Sequence, residues 1–218
     1  MQPALKTYMS VQEPSTAVFL VPGYSGGLSA PLIAFVADVF SKTPHTDVYG
    51  FDFQYDSKEE GGAFEEKVSL MREHIRAYRV KHPLSNAFIV GKSLGGALAL
   101  AAAEPDLVSG VVVLGWPVRL GWPSRISLLG SQDLAEPPYK EEWDKLLSGL
   151  SVPIMFINGD ADDLMDFQFL EECIAEHSNI VARSIPHGDH GLMVDRSTDN
   201  YPLVSIMLKR FVTDPSEH

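Results

Sequence analysis

The chain has a single cysteine, Cys173, no apolar run long enough to cross a membrane, and fewer basic than acidic residues. One cysteine excludes an internal disulfide, and with it the disulfide-stapled class of secreted proteins. Residues 1–10 lack the apolar core of a signal peptide. Together with the missing membrane span, this predicts a cytoplasmic protein.

Positive charge is scarce: 17 lysines and arginines stand against 29 aspartates and glutamates, which gives a formal net charge of −12. The resulting field repels nucleic-acid phosphates and anionic membrane surfaces. We therefore predict no nucleic-acid partner. Oligomeric state stays open between a monomer and a homodimer.

Signals for a metal or a nucleotide are also missing. No paired histidine and glutamate spacing indicates a metal site, and we predict neither a metal nor a cofactor. Gly91-Lys92-Ser93 resembles the end of a phosphate-binding loop, but position 86, where that loop needs a glycine, is Asn86. Lys92 is therefore predicted to face solvent or to pack, with no phosphate role.

What the chain does contain is an alternation of strands and helices. Its 218 residues, 45% hydrophobic and 21% charged, suit one α/β domain over residues 1–218. Apolar runs predict strands at 17–21, 47–53, 87–90, 110–114, 153–157 and 180–185, with an edge strand at 7–11. Helical spacing predicts helices at 31–40, 63–81, 94–103, 139–147, 166–177 and 201–212. Such an alternation is typical of a mostly parallel central sheet flanked by helices on both faces.

A glycine-flanked serine stands between one strand and the next helix. Gly91, Ser93 and Gly95 fit G-x-S-x-G, the nucleophile elbow, in which a tight turn needs small residues beside a strained serine. The helix that follows directs its positive dipole end at the serine. Ser93 is the candidate nucleophile.

Two further loops that follow predicted strands carry acids and histidines. Asp160, Asp162 and Asp163 follow one strand, and His187 and His190 follow the next. Loops at the carboxyl ends of parallel strands gather at one edge of the sheet. A serine hydroxyl needs a base, and an imidazole needs a carboxylate to fix its tautomer, so the three loops supply the parts of a triad in the order serine, acid, histidine.

On these residues the sequence resembles the α/β-hydrolases of the small, nearly lid-less kind, including the dienelactone-hydrolase branch. The resemblance rests on Gly91-Lys92-Ser93-Leu94-Gly95-Gly96, on Asn158-Gly159-Asp160-Ala161-Asp162-Asp163 and on Gly188-Asp189-His190-Gly191, and it covers residues 17–212. It implies an α/β-hydrolase fold. Ser93 and Asp162 are only 69 positions apart, which leaves no room for a large cap domain.

The resemblance also implies roles. Family members commonly place the acid three residues after a glycine, which from Gly159 gives Asp162, with Asp160 as the alternative. The match of the last motif favours His190 over His187 as the base. The backbone N–H groups of Leu94 and Tyr24 are expected to form the oxyanion hole. Pro22 stands where many members have a histidine, which leaves the geometry of that loop open.

Trp116 and Met165 follow strands near the predicted site and are candidates for substrate contact, although core packing is an equal alternative. Whether the irregular region 118–149 covers the site is left open. The expected function is a serine hydrolase of carboxylic esters with short or medium acyl groups, acting through an acyl-enzyme on a small-molecule substrate. The alternative is a hydrolase fold retained as a binding module.

Overall fold

A single sheet of seven strands organises the chain in the computed structural model, which describes residues 5–24, 26–53, 62–116 and 146–215. The inner strands form because their runs of β-branched and aromatic residues can be buried on both faces. The strands are β1 (Leu5–Met9), β2 (Thr16–Val21), β3 (Thr46–Phe51), β4 (Asn86–Lys92), β5 (Gly110–Leu114), β6 (Ile154–Gly159) and β7 (Ile180–Ile185).

Helices connect most of these strands. They are α1 (Pro31–Ser41), α2 (Gly62–Lys81), α3 (Leu94–Ala102), α4 (Phe167–Ile174) and α5 (Tyr201–Thr213), with a 3-10 turn at Gly27–Ser29. Proline opens both α1 and α5 within the first two positions, where its missing N–H costs nothing. The structure thus confirms the predicted fold, and the described residues include no cap domain.

The strand order β1-β3-β2-β4-β5-β6-β7 places a change of direction at the centre of the sheet. All neighbouring pairs are parallel except β1 with β3. The chain moves outward from β2 to β3 and then returns to β4 on the other side of β2. The helices that follow β2 and β4 therefore lie on opposite faces of the sheet. Where two neighbouring connections leave a parallel sheet on opposite faces, a crevice opens at the carboxyl ends of the strands.

Two apolar clusters fill the space between the sheet and its helices. Phe88 and Val90 of β4 belong to the cluster that contains buried residues of α1 and α5. Ile89 belongs to the other cluster, with buried residues of α2, α3 and α4. Since side chains alternate along a strand, Lys92 shares the face of Phe88 and Val90.

Most predicted elements lie within a few residues of the observed ones. The edge strand is displaced from 7–11 to Leu5–Met9, and the third strand ends at Phe51, two residues earlier than predicted. Helix α4 ends at Ile174, three residues before the predicted end. The predicted helix at 139–147 and the region 118–149 lie mostly outside the described residues. Among the helices that the structure describes, none combines the length and hydropathy required to cross a bilayer.

Candidate active site

Ser93 occupies a strained turn between β4 and α3. Its φ of 53° and ψ of −121° lie outside the regions that non-glycine residues normally adopt. A side chain at Gly91 would collide with the carbonyl of Gly95, and one at Gly95 would collide with the carbonyls of Val21 and Pro22. The two glycines therefore let the strand, the helix and the loop after β2 approach each other, as the motif predicts.

The loop after β2 lies directly against this serine. A Cβ built on Gly23 would be 3.2 Å from Ser93 Cβ and 3.1 Å from the carbonyl oxygen of Lys92. Tyr24 follows with an exposed side chain, and Leu94 is the buried first residue of α3. The N–H of a first helical residue has no acceptor within its own helix. The two predicted oxyanion donors therefore lie on either side of Ser93, Leu94 at the start of α3 and Tyr24 in the loop after β2.

Asp162 is the buried residue of an otherwise mostly exposed turn after β6. Its Oδ1 accepts a hydrogen bond of 2.9 Å from Leu164 N, and its side chain is fully buried. Asp162 Oδ2 lies 2.8 Å from Nδ1 of His190. The structure thus brings the predicted acid and the predicted base together, with the other ring nitrogen, Nε2, left for a reaction partner.

The alternative residues occupy other positions. Asp160 and Asp163 are exposed, and Asp160 accepts a hydrogen bond from the backbone N–H of His187. His187 itself is exposed and has a positive φ of 57°. Asp160 therefore supports the loop before His190, whereas Asp162 is the aspartate that contacts the imidazole of His190.

The acid turn and the histidine loop hold each other in place. Ala161 N donates to the carbonyl of Gly188 at 3.0 Å, and a Cβ on Gly159 would collide with that same carbonyl. On the other side, a Cβ on Gly115 would be 2.6 Å from the carbonyl oxygen of His190. Since Ser93 N donates to the carbonyl of Leu114 at 2.9 Å, Ser93 and His190 both adjoin the end of β5.

A profile of the family described as alpha/beta hydrolase domain matches residues 15–207, most of the chain. The chain belongs to this family. No curated protein sequence gives a significant match.

Solved structures of similar fold agree with the assignment of the chain to the α/β hydrolase family. A dienelactone hydrolase from Anabaena variabilis has a TM-score of 0.68 at 16% identity, with 98% of each chain covered. A monoacylglycerol lipase from Paleococcus ferrophilus gives 0.67 at 15%, covering 99% of this chain and all of the other. A serine hydrolase without lid, XC6422 from Xanthomonas campestris, gives 0.62 at 16%, covering 96% and 88%. At these identities the likeness establishes the fold.

The two predicted substrate contacts of this hydrolase are buried. Trp116 is 2% exposed and packs edge-on against Phe156. Met165 is 6% exposed, and its sulfur lies 3.2 Å from Asn158 Nδ2, which also donates to the carbonyl of Trp116 at 3.2 Å. Their contact with substrate stays a prediction. Asn158, which the sequence reasoning did not single out, joins the end of β5 to the acid turn.

Lys92, expected to face solvent or to pack, is partly buried beside the serine. Burial lowers the pKa of its ammonium group, and the carboxylates of Asp162 and Asp189 oppose that effect. The Lys92 amine, next to the turn of Ser93, is therefore less readily protonated than a solvated lysine. Within the described ranges, no group of three or more histidines, cysteines or acids is arranged to hold a metal ion.

Proposed function

We propose that this α/β hydrolase is a serine hydrolase that cleaves carboxylic ester bonds through an acyl-enzyme intermediate. Ser93 is the nucleophile, His190 the general base and Asp162 the acid. One observation carries the proposal: a fully buried carboxylate lies 2.8 Å from the Nδ1 of an imidazole at the same sheet edge as a strained serine. This is the pairing that fixes a histidine in the tautomer able to accept a proton at Nε2.

In the first half of the reaction, Ser93 Oγ attacks the carbonyl carbon of the ester while His190 Nε2 takes the hydroxyl proton. The carbonyl oxygen becomes an oxyanion. The backbone N–H groups of Leu94 and Tyr24 stabilise it, helped by the positive end of the α3 dipole. The tetrahedral species collapses, the carbon–oxygen bond to the alcohol breaks, and the alcohol leaves with the proton from His190.

In the second half, water replaces the alcohol. His190 removes a proton from the water, the hydroxide attacks the acyl carbon, and Ser93 recovers its proton as the carboxylic acid departs. Asp162 remains ionised throughout and stabilises the imidazolium that forms twice in the cycle. No cofactor enters these steps.

Short or medium acyl esters are the proposed substrates. The lipase and the dienelactone hydrolase among the structural neighbours are named for ester and lactone chemistry, and both share this fold over nearly their whole length. Thioesters, lactones and small amides would use the same groups. Trp116 and Met165 are proposed to contact the acyl or alcohol part.

Hydrolysis of p-nitrophenyl acetate and butyrate tests the proposal directly. We expect Ser93→Ala and His190→Ala to lower kcat/KM by about a thousandfold or more, because triad members act as a unit. Asp162→Asn should lower it comparably by presenting the wrong group to Nδ1. His187→Ala, three residues from the base, is the matched control and should keep most of the activity.

Two results would overturn the proposal. If His187→Ala were inactive and His190→Ala active, the base would be wrongly assigned. If the wild-type chain released no nitrophenol from either ester above the rate of Ser93→Ala, the binding-module alternative would be favoured.

A further inference from the structure

The side chain of Asn158 joins two segments that border the candidate site. Asn158 is the last residue but one of β6, and it is fully buried. Its Nδ2 donates one hydrogen bond of 3.2 Å to the carbonyl oxygen of Trp116, after β5, and another of 3.2 Å to the sulfur of Met165. One amide group therefore ties the segment after β5 to the segment that follows the acid turn.

The orientation of this amide is set by the two groups to which it donates. A carbonyl oxygen and a thioether sulfur accept hydrogen bonds and donate none, so turning the amide over would place Oδ1 against two acceptors. Asn158 Oδ1 is itself buried, and among the described residues no donor contacts it. A buried acceptor without a donor costs stability, and a side chain that served packing alone would be better apolar at this position. The value of the amide therefore lies in its two donated bonds.

The first acceptor, Trp116, belongs to the segment on which the nucleophile and the base both lie. The residue before it is Gly115, where a Cβ would be 2.6 Å from the carbonyl oxygen of His190. The last residue of β5 precedes these two, and its carbonyl accepts a hydrogen bond of 2.9 Å from Ser93 N. By holding the carbonyl of Trp116, Asn158 therefore fixes the end of this segment.

The second acceptor, Met165, belongs to the segment that holds the carboxylate of Asp162. Met165 N donates a hydrogen bond of 2.9 Å to the carbonyl of Asp162, and Leu164 N donates one of 2.9 Å to its Oδ1. The other carboxylate oxygen, Oδ2, lies 2.8 Å from Nδ1 of His190. A displacement of Met165 would therefore move the carboxylate that orients the imidazole.

We propose that Asn158 is a positioning residue: its two donated bonds fix the Asp162 carboxylate relative to the end of β5, on which Ser93 and His190 lie. The catalytic part of this inference rests on the proposed function, whereas the effect on the acid turn does not. A misplacement of about 1 Å costs a catalytic site on the order of a hundredfold in rate, so a residue that touches no reacting atom still sets the rate.

Asn158→Leu removes both donated bonds and keeps a branched side chain of similar size. Asn158→Asp is the second variant if the first does not fold, because an ionised carboxylate has the shape of the amide and donates nothing. Asn179 offers a matched control. Its Nδ2 also donates to two carbonyls, those of Leu150 at 2.9 Å and Val152 at 2.8 Å, but at the amino ends of β6 and β7. Asn179→Leu therefore removes an equivalent pair of bonds at the opposite end of the sheet.

The first measurement separates kcat from KM with p-nitrophenyl acetate, at a temperature at which urea unfolding shows every variant to be folded. We expect Asn158→Leu to lower kcat by about tenfold to a hundredfold and to change KM by less than about threefold, because it misaligns the triad. Asn179→Leu should stay within about twofold of the wild type in both constants. A raised KM at unchanged kcat, or an equal loss of kcat in the two variants, would overturn the proposal.

The second measurement is the hydrogen exchange of the Leu164 and Met165 amides, which does not depend on hydrolysis. Both amides donate to Asp162, so we expect both to exchange at least about fivefold faster when the Asn158 bridge is lost. In Asn179→Leu the two rates should equal those of the wild type. Unchanged rates in Asn158→Leu would overturn the proposal.

Together the two measurements distinguish this inference from the proposed function. If the amides exchange faster in Asn158→Leu but the wild type shows no Ser93-dependent hydrolysis, the proposed function fails and the positioning of the acid turn stands. If hydrolysis depends on Ser93 but Asn158→Leu leaves kcat or the two exchange rates unchanged, the proposed function stands and the positioning role of Asn158 is wrong.

Discussion

At the scale of single residues, the strongest constraint on this chain is the space around Ser93. The serine holds φ and ψ values that cost of order 1–3 kcal/mol, and this conformation persists because neighbouring backbone closes around it. Gly91 and Gly95 are the positions at which that backbone approaches most closely. The motif was recognisable in the sequence because this steric demand leaves only glycine at both positions.

Gly95→Ala should lower the free energy of unfolding by about 1–3 kcal/mol or more, because the new methyl group would collide with the carbonyls of Val21 and Pro22. Urea unfolding at pH 7 measures this change in the free energy of unfolding. Gly27→Ala is the control: the nearest atom to its Cβ is 3.9 Å away, so only the positive φ of 52° opposes it, at about 1–2 kcal/mol. Equal stability of Gly95→Ala and wild type would show that the three segments are not closely packed.

Tyr201 gives the stability of the protein a dependence on alkaline pH. Its pKa is raised from 10.0 to about 12, with burial as the larger cause and Asp189 as the smaller. Between these values the unfolded chain loses the phenolic proton while the folded chain retains it, so the free energy of unfolding falls as pH rises above about 10.

Tyr201→Phe should make that fall shallower, since the substituted ring has no proton to lose. Urea midpoints of both proteins between pH 9 and 12 give the two slopes. Tyr8, Tyr49 and Tyr78 also have raised pKa values, so a part of the slope will remain. Identical slopes in the two proteins would contradict the environment described for Tyr201.

At the scale of elements, the strands that carry the site were predictable because they are buried on both faces. β2, β4, β5 and β6 are nearly continuous apolar runs. Their boundaries were less predictable. The antiparallel edge strand β1 contains partly buried and exposed residues without a regular alternation, and its register depends on β3, which is about 40 positions away.

Helix α4 begins at a side-chain cap. Asp166 Oδ1 accepts a hydrogen bond of 3.0 Å from Phe169 N. We expect Asp166→Ala to lower the free energy of unfolding by about 1 kcal/mol, and Asp166→Asn to cost only a few tenths because asparagine caps nearly as well. Thermal and urea unfolding would test this, and equal losses in the two variants would argue against a capping role.

At the scale of the whole molecule, the site is produced by the change of direction between β2 and β4. It sets Gly23 against Ser93, while the order of β5, β6 and β7 brings the acid and histidine loops to the same edge. Ser93, Asp162 and His190 could be chosen from the sequence because each follows a recognisable strand in a characteristic motif. That these three residues lie at the same edge of the sheet follows from the parallel arrangement of the strands alone.

Other parts of the site could not be predicted because they depend on contacts between distant segments. Trp116 and Met165 follow strands, but only the packed structure shows that Asn158 joins them and that both are buried.

Covalent labelling tests most directly whether Ser93 is an activated nucleophile. A fluorophosphonate probe is incubated with wild type, Ser93→Ala and the control His187→Ala, and the intact mass and the labelled peptide are measured. We expect one adduct per chain on Ser93 in wild type and in His187→Ala, and none in Ser93→Ala. An unlabelled wild type, under conditions that label other serine hydrolases, or an adduct that persists in Ser93→Ala, would contradict it.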